Sequence, residues 1–337
     1  MPTAVSTLYC GIKPQSPIPS ANPRIGKVLS RSNSYLIVRV FPILAVAGGT
    51  LFWLQSRAAP SNSSSEISIQ SQTSPSHPPP SQPISNGRSA TLEEALTIAR
   101  QGLEHLQKNL IDYRGRLVKQ ELVDGTLTPR TEMEFKIRNR RAAVPNQTPA
   151  QSMAVYLRFL SPENVQGREV LWVEDENRGK LIAHEAGLLG LTNISLDPRG
   201  SLAMRGNRYP LPEIGFVNLI ETLLTRSALI DSHGGADVIF HENYTVGDRS
   251  CLLIEVRPRA TSSTSIPKNL PFDFSLAKIA IDSDRNIPLY YAAYGIPASP
   301  STPPPLQEEY TYLDVQLNVG LTPLDFQTIN PAYNFRK

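Results

Sequence analysis

Two dipeptides, His184-Glu185 and His241-Glu242, are the first candidates for acid–base or metal chemistry. A histidine beside a carboxylate can share a proton or an ion only if both side chains converge. Both pairs lie in segments of strand character, where successive side chains point to opposite faces, so neither pair converges. The five histidines show no HExxH or other ligand spacing, and no metal site is expected. Cys251 stands in CLLIEV, a buried-strand pattern in which a thiol is inert rather than nucleophilic. There is no G-x-S-x-G elbow and no glycine-rich phosphate loop; Gly187, Gly190 and Gly234-Gly235 read as turn residues. No catalytic residue and no cofactor follow from these patterns, and the chain reads as a non-enzyme.

Two sets of residues remain, and both suit binding. Gly167-Arg168-Glu169 and Arg208-Tyr209-Pro210 are polar clusters near strand or helix ends. Arg168, Glu169 and Arg208 could form a polar rim for a head group or a partner carboxylate, a structural ion pair being the plainer account. The second set is an apolar face, Phe135, Ile137, Val155, Leu157, Phe159, Val170 and Trp172, with Leu252, Ile254 and Val256. Most of these residues would be core packing; a subset would line a ligand cavity. Tyr290, Tyr291, Tyr294, Tyr310 and Tyr312 suggest aromatic packing across adjacent strands.

These residues must be positioned by less than the whole chain of 337 residues. Apolar residues make up 40% and there are 30 prolines, so part of the chain cannot bury enough surface to fold. Charge divides the same way. The first acidic residue is Glu66, and six basic residues precede it. Without those six, 27 basic residues face 30 acidic ones, so a nucleic-acid partner is not expected. Cys10 and Cys251 lie in segments too unlike to suggest a disulfide framework.

Residues 1–34 form a basic N-region. Residues 35–56 contain the uncharged run VFPILAVAGGTLFWL, short of the ~20 residues a bilayer span requires unless Arg39 snorkels at one end. Basic residues before it and few after it place the N-terminus in the cytoplasm. Two readings stand. One is a signal anchor, giving a single-pass inner-membrane protein with its C-terminal domain in the periplasm. The other is a signal peptide cleaved near Ser56 or Ala58, giving a periplasmic protein. Residues 57–90 are Ser/Pro-rich and read as a disordered linker. A folded domain then covers 91–337.

Thr91 and Glu94 form a capping box. From Leu92 to Leu110 the apolar residues fall on one helical stripe. After Tyr113 the period drops to two, and Asp124-Gly125 marks a hairpin between Leu117–Val123 and Leu127–Arg138. Further strands are expected over 153–160, 168–174, 180–185 and 188–196, and a second helix over 212–226. A second strand group follows at 237–246, 249–256, 274–282, 287–294 and 308–317. No strand is followed by a crossover helix, which excludes a doubly wound parallel sheet. Roughly ten antiparallel strands must curl. The expected fold is α+β, a strongly curved antiparallel sheet or half-open barrel whose concave face is covered by helices.

The blocks LEEALTIARQGLEHLQKNLIDYRGRLVKQELVDGTL, VYLRFLSPENVQGREVLWVED, KLIAHEAG, RGNRYPLPEIGFVNLIE and EEYTYLDVQLNVGLTPLDF resemble a family of exported proteins of unknown function found mainly in planctomycete bacteria. The strand plan is similar to the lipoprotein carriers LolA and LolB and to the periplasmic regulator RseB. That similarity implies a hydrophobic cavity for acyl chains or lipid-linked peptides under the curled sheet. The expected partners are therefore the membrane, through residues 35–56, and a lipid or lipoprotein ligand, or alternatively another envelope protein. A tethered chain would depart from the freely diffusing LolA carriers, which puts shuttling in doubt.

Overall fold

The computed structural model describes residues 87–143, 149–186, 192–262, 269–299 and 301–336. The stretches read from the sequence as basic N-region, apolar segment (35–56) and most of the linker lie outside them. Among the described residues no helix is long and apolar enough to cross a membrane.

The chain runs β1 (Arg88–Ala90), α1 (Leu92–Asn109), β2 (Asp112–Val123), β3 (Thr126–Leu127), β4 (Thr131–Arg138), β5 (Ala154–Ser161), β6 (Glu169–Val173), β7 (Leu181–His184) and β8 (Asn193–Leu196). It continues through α2 (Ser201–Met204), α3 (Phe216–Ser232), β9 (Ala236–Val246), β10 (Arg249–Pro258) and α4 (Arg259–Ser262). The last strands are β11 (Phe274–Asp282), β12 (Pro288–Gly295) and β13 (Leu306–Leu317).

All thirteen strands belong to one open sheet in the order β1-β9-β10-β11-β12-β13-β2-β4-β5-β6-β7-β8, with β3 beside β2. Every pairing is antiparallel. The fold is thus the α+β, strongly curved antiparallel sheet expected from the sequence. It consists of two meanders, β2–β8 and β9–β13, joined where β13 lies against β2 with Tyr310 opposite Lys119 and Tyr312 opposite Leu117.

Local chemistry accounts for the element ends. In α1 the Glu94 N–H donates to Thr91 Oγ1 at 3.1 Å and the Thr91 N–H donates to Glu94 Oε2 at 2.7 Å, the expected reciprocal cap. Asp124 and Gly125 take φ of 49° and 77°, the backbone that a tight two-residue hairpin needs. The returning strand is interrupted between β3 and β4, where Pro129 has no N–H to give the ladder. The second helix starts and ends later than the periodicity suggests. Pro210 and Pro212 hold a 3-10 turn over Leu211–Glu213, and α3 begins only after Gly215. It then runs to Ser232 and stops before Gly234 and Gly235, both at positive φ.

Two stretches differ from the expected bounds. Residues 88–90, read from the sequence as the end of a linker, form β1, which adds its backbone to β9 with Ser89 opposite Ile239; main-chain pairing is blind to the polar composition of that stretch. The strand expected over 188–196 is described only as Asn193–Leu196, residues 187–191 lying outside the described set.

The inner face holds two apolar clusters. Ala95 and Ile230 of the helices pack on Val238, Phe240, Ile254 and Ala277 in one half. Leu106, Phe216 and Ile220 pack on Tyr113, Phe135 and Tyr312 in the other. A third cluster lies on the outer face, where Phe326 and Phe335 near the C-terminus cover Ala154, Tyr156, Leu171 and Val173.

Candidate functional site

A cavity of ≈ 440 Å³ opens inside the β2–β8 half of the sheet. Its floor is the inward phase of four strands: Leu117, Met133, Leu157, Phe159 and Val170. Leu181, Ala183, Ile194 and Leu196 of β7 and β8 continue it to one side. The roof comes from the segment between β8 and α3, through Leu202, Ala203, Leu211 and Ile214, and from Leu219 and Leu223 of α3 itself. Ile194 and Leu202 remain 44% and 52% exposed, so apolar side chains mark the mouth.

This position differs from the expectation that α1 would cover a hollow. Beneath α1 the remaining cleft is only ≈ 80 Å³. The continuous stripe of α1 meshes with α3 and the β9–β12 strands and leaves little space. The roof segment between β8 and α3 is irregular and proline-containing, its one α-helix the four-residue α2, and so does not fill the sheet's curve in that way.

Of the apolar residues singled out in the sequence, Leu157, Phe159 and Val170 line the large cavity. Ile254 and Val256 line the small cleft, and Leu252 packs half-buried against the same cluster. Phe135, Ile137, Val155 and Trp172 are buried core. Aromatic packing explains the placement of Phe135: Tyr113 and Tyr312 meet its ring edge-on at 5.6 and 5.7 Å.

The three polar residues separate. Arg168 lines the cavity, lies 2.8 Å from Glu185 and sits over the Phe159 ring. Arg208 stands at the opposite end of the roof, beside Tyr209 and near Glu308 at 3.7 Å. Glu169 is no rim residue. It points to the outer face, fully buried, and accepts from Tyr156 Oη at 3.0 Å and from the Asn334 N–H at 2.8 Å. The His184-Glu185 pair also diverges: His184 faces Phe335 on the outer side while Glu185 pairs with Arg168. Among the described residues no group of three or more His, Cys, Asp or Glu could hold a metal ion.

A polar cluster at the junction of the two meanders was not foreseen. Glu121 and Glu308 are register partners across the β2–β13 seam, 3% and 1% exposed. Like charges placed directly opposite repel, so cations must gather around them. Lys119 Nζ donates to Glu121 Oε2 at 2.8 Å and to Asn207 Oδ1 at 2.7 Å. The Arg208 N–H donates to Glu121 Oε2 at 3.1 Å. Arg226 reaches down from α3, donating to Glu308 Oε1 at 3.1 Å, to Tyr291 Oη at 2.9 Å and to Tyr209 Oη at 2.6 Å. Tyr310 donates to Glu121, and Tyr291 to Glu308. Burial, followed by the charges of Glu121 and Glu308, pushes the Tyr310 phenol far above its ordinary pKa. Burial alone would weaken the Arg226 charge, but Tyr291, Tyr209 and Glu308 outweigh it and raise the guanidinium pKa. The sequence signal for this cluster was Lys119 and Glu121 occupying the inward phase set by Leu117.

Residues 110–335, well over half of the chain, match the family described as protein of unknown function DUF1571, and the chain belongs to that family. The resemblance to a family of unknown function is thereby borne out, while the match carries nothing on a planctomycete origin. No curated protein matches the chain. Among solved structures it is similar to MucB, at 14% identity and a TM-score of 0.40, covering 69% of this chain and 62% of MucB. A putative outer membrane lipoprotein-sorting protein domain from Vibrio parahaemolyticus shows 12% identity and a TM-score of 0.32, covering 70% and 97% of the two chains. A LolA superfamily protein from Nitrosomonas europaea shows 8% identity and a TM-score of 0.26, covering 71% and 98%.

Proposed function

We propose that this domain is a non-catalytic binding module of the bacterial cell envelope that takes the acyl chain of a lipid or lipoprotein into the cavity beneath α2 and α3. The observation that carries this reading is the cavity itself. Its volume falls within the ~300–1,000 Å³ typical of ligand pockets, and its floor and roof are predominantly apolar. Each buried methylene would contribute about 0.8 kcal/mol, so a chain of about ten carbons offsets the cost of association. The leader read from the sequence would put the domain on the periplasmic side, either tethered through residues 35–56 or free after cleavage. A non-enzymatic role is supported by the reactive-type residues: Cys251 is fully buried, with its thiol pushed up to about 12.

The test is native mass spectrometry of protein purified without detergent, with thermal unfolding in the presence of added fatty acyl ligands. Co-purifying lipid, or a ligand-dependent rise in Tm that disappears in Ala203→Trp, is expected. A clean apo mass with no stabilisation would remove the acyl reading.

A second reading, an interaction module gripping another envelope protein, is favoured by the open sheet. Among the described residues the outer edges of β1 and β8 carry no further strand and could accept one from a partner. Crosslinking in intact cells separates the two, since a stoichiometric protein partner without lipid would favour this alternative.

A further inference from the structure

We propose that the cavity's ligand is an anionic amphiphile, its carboxylate or phosphate held at Lys119 and Arg226 while its hydrocarbon occupies the apolar chamber. The proposal rests on the acyl-binding reading and adds to it the chemistry of the head group.

At the seam end of the cavity three cations surround two buried carboxylates, Glu121 and Glu308. The acids are spent. Their side chains are 3% and 1% exposed, and their oxygens accept from Lys119, the Arg208 N–H, Arg226, Tyr291 and Tyr310. The two cations that line the cavity keep more open surface: 16% for Lys119 and 26% for Arg226. What this end presents to an entering molecule is therefore cationic, not acidic.

Charges elsewhere leave that presentation in place. Asp273 lies 3.8 Å from Arg208 but is 72% exposed, where water screens it. Around the rest of the wall, Arg168 pairs with Glu185, and Glu213 pairs with Arg199. Arg205 also lines the cavity, and no ion pair is found for it among the described residues. An anion entering from water would gain charge-assisted hydrogen bonds from cations whose own carboxylates are turned away from the opening. Leu223, Arg226 and Tyr291 border both the large cavity and the small cleft beneath α1, so the head-group position sits beside the apolar space rather than remote from it.

The experiment compares four probes of equal chain length on delipidated full-length protein: laurate, dodecyl phosphate, dodecanol and dodecylamine, with inorganic phosphate as a chain-free control. A charge-assisted hydrogen bond is worth ~1.5–3 kcal/mol, so laurate and dodecyl phosphate should bind at least about ten-fold more tightly than dodecanol, and dodecylamine most weakly. That advantage should shrink as salt is raised. Lys119→Gln should lower laurate affinity several-fold, and by more than it lowers dodecanol affinity. If that variant fails to fold, the wild-type probe series still decides. Equal binding of dodecanol and laurate overturns the head-group proposal and leaves the acyl reading standing. Failure of every probe overturns both. Inorganic phosphate binding as tightly as dodecyl phosphate would replace the amphiphile with a free anion.

Discussion

Glu121 and Glu308 face one another across the seam between β2 and β13, both nearly devoid of solvent contact, and Arg226 from α3 clamps the second of them at 3.1 Å. A repulsive cross-strand pair is thereby converted into the tie between roof and floor. Arg226→Met should lower stability by about 3 kcal/mol, because it leaves a dry carboxylate with only the more distant Arg208, at 3.7 Å, as its cation. Adding Glu308→Gln to that variant should recover a large part of the loss. Equilibrium urea unfolding of the single and double variants measures the coupling. An Arg226→Met protein as stable as the wild type would show that the tie carries nothing.

Gly215 sets where α3 begins. Its φ of 105° is open to glycine alone, and a Cβ there would come within 2.5 Å of Tyr113 Oη. That hydroxyl accepts the first N–H of the helix, from Phe216, at 3.1 Å. Gly215→Ala should cost about 3 kcal/mol from backbone strain and collision together. Tyr113→Phe in the same background should relieve the collision but not the strain, so only partial recovery is expected in thermal unfolding.

Asp282 ends β11 and is completely buried in its side chain. Burial would raise its pKa, but Arg249, Arg285 and the Asp284 and Arg285 N–H groups hold it well below the ordinary aspartate value. A depressed folded-state pKa gives stability that is present above the unfolded value, near pH ~3.9, and is lost as pH falls through the lower folded one. Asp282→Asn should therefore cost about 3 kcal/mol at neutral pH, with the gap to wild type narrowing only below about pH 4. Urea unfolding at a series of pH values gives that difference directly; a gap independent of pH down to the acid limit would contradict the assignment.

Cys251 is sealed from solvent, and burial, reinforced by the neighbouring Asp282 charge, pushes its thiol up to about 12. In a Cys10→Ser background the native protein should be inert to maleimide at mildly alkaline pH. Labelling should proceed only as fast as the domain opens, which a rate measurement with and without urea will show.

The sheet was legible because its signals are local. Alternation in EMEFKIR, the Asp124-Gly125 turn and the Thr91 capping box each act within a few residues, and each appears where the pattern puts it. The tyrosine-rich stretch is also seen as expected, Tyr291 lying opposite Tyr310 with the rings stacked at 6.2 Å. The location of the cavity was not legible. A regular amphipathic helix such as α1 announces its buried face, yet that regularity is what lets it fill the space below. The roof segment around Leu202–Ile214 has no period to read. Residues of the polar cluster come from β2, the roof, α3 and β13, and only the pairing of β13 with β2, a contact between distant parts of the chain, brings them together. The one local hint was a pair of charges, Lys119 and Glu121, on the inward phase of an otherwise apolar strand face.

Adjacent residues of β6 look in opposite directions: Val170 into the cavity, Glu169 out toward Asn334, whose main chain and amide both fasten to it. The closing stretch of the polypeptide, with Tyr333 and Phe335, therefore works as an external splint on the chamber wall. Clipping or displacing that splint would slacken the pocket from behind, without any intruder having to cross its entrance.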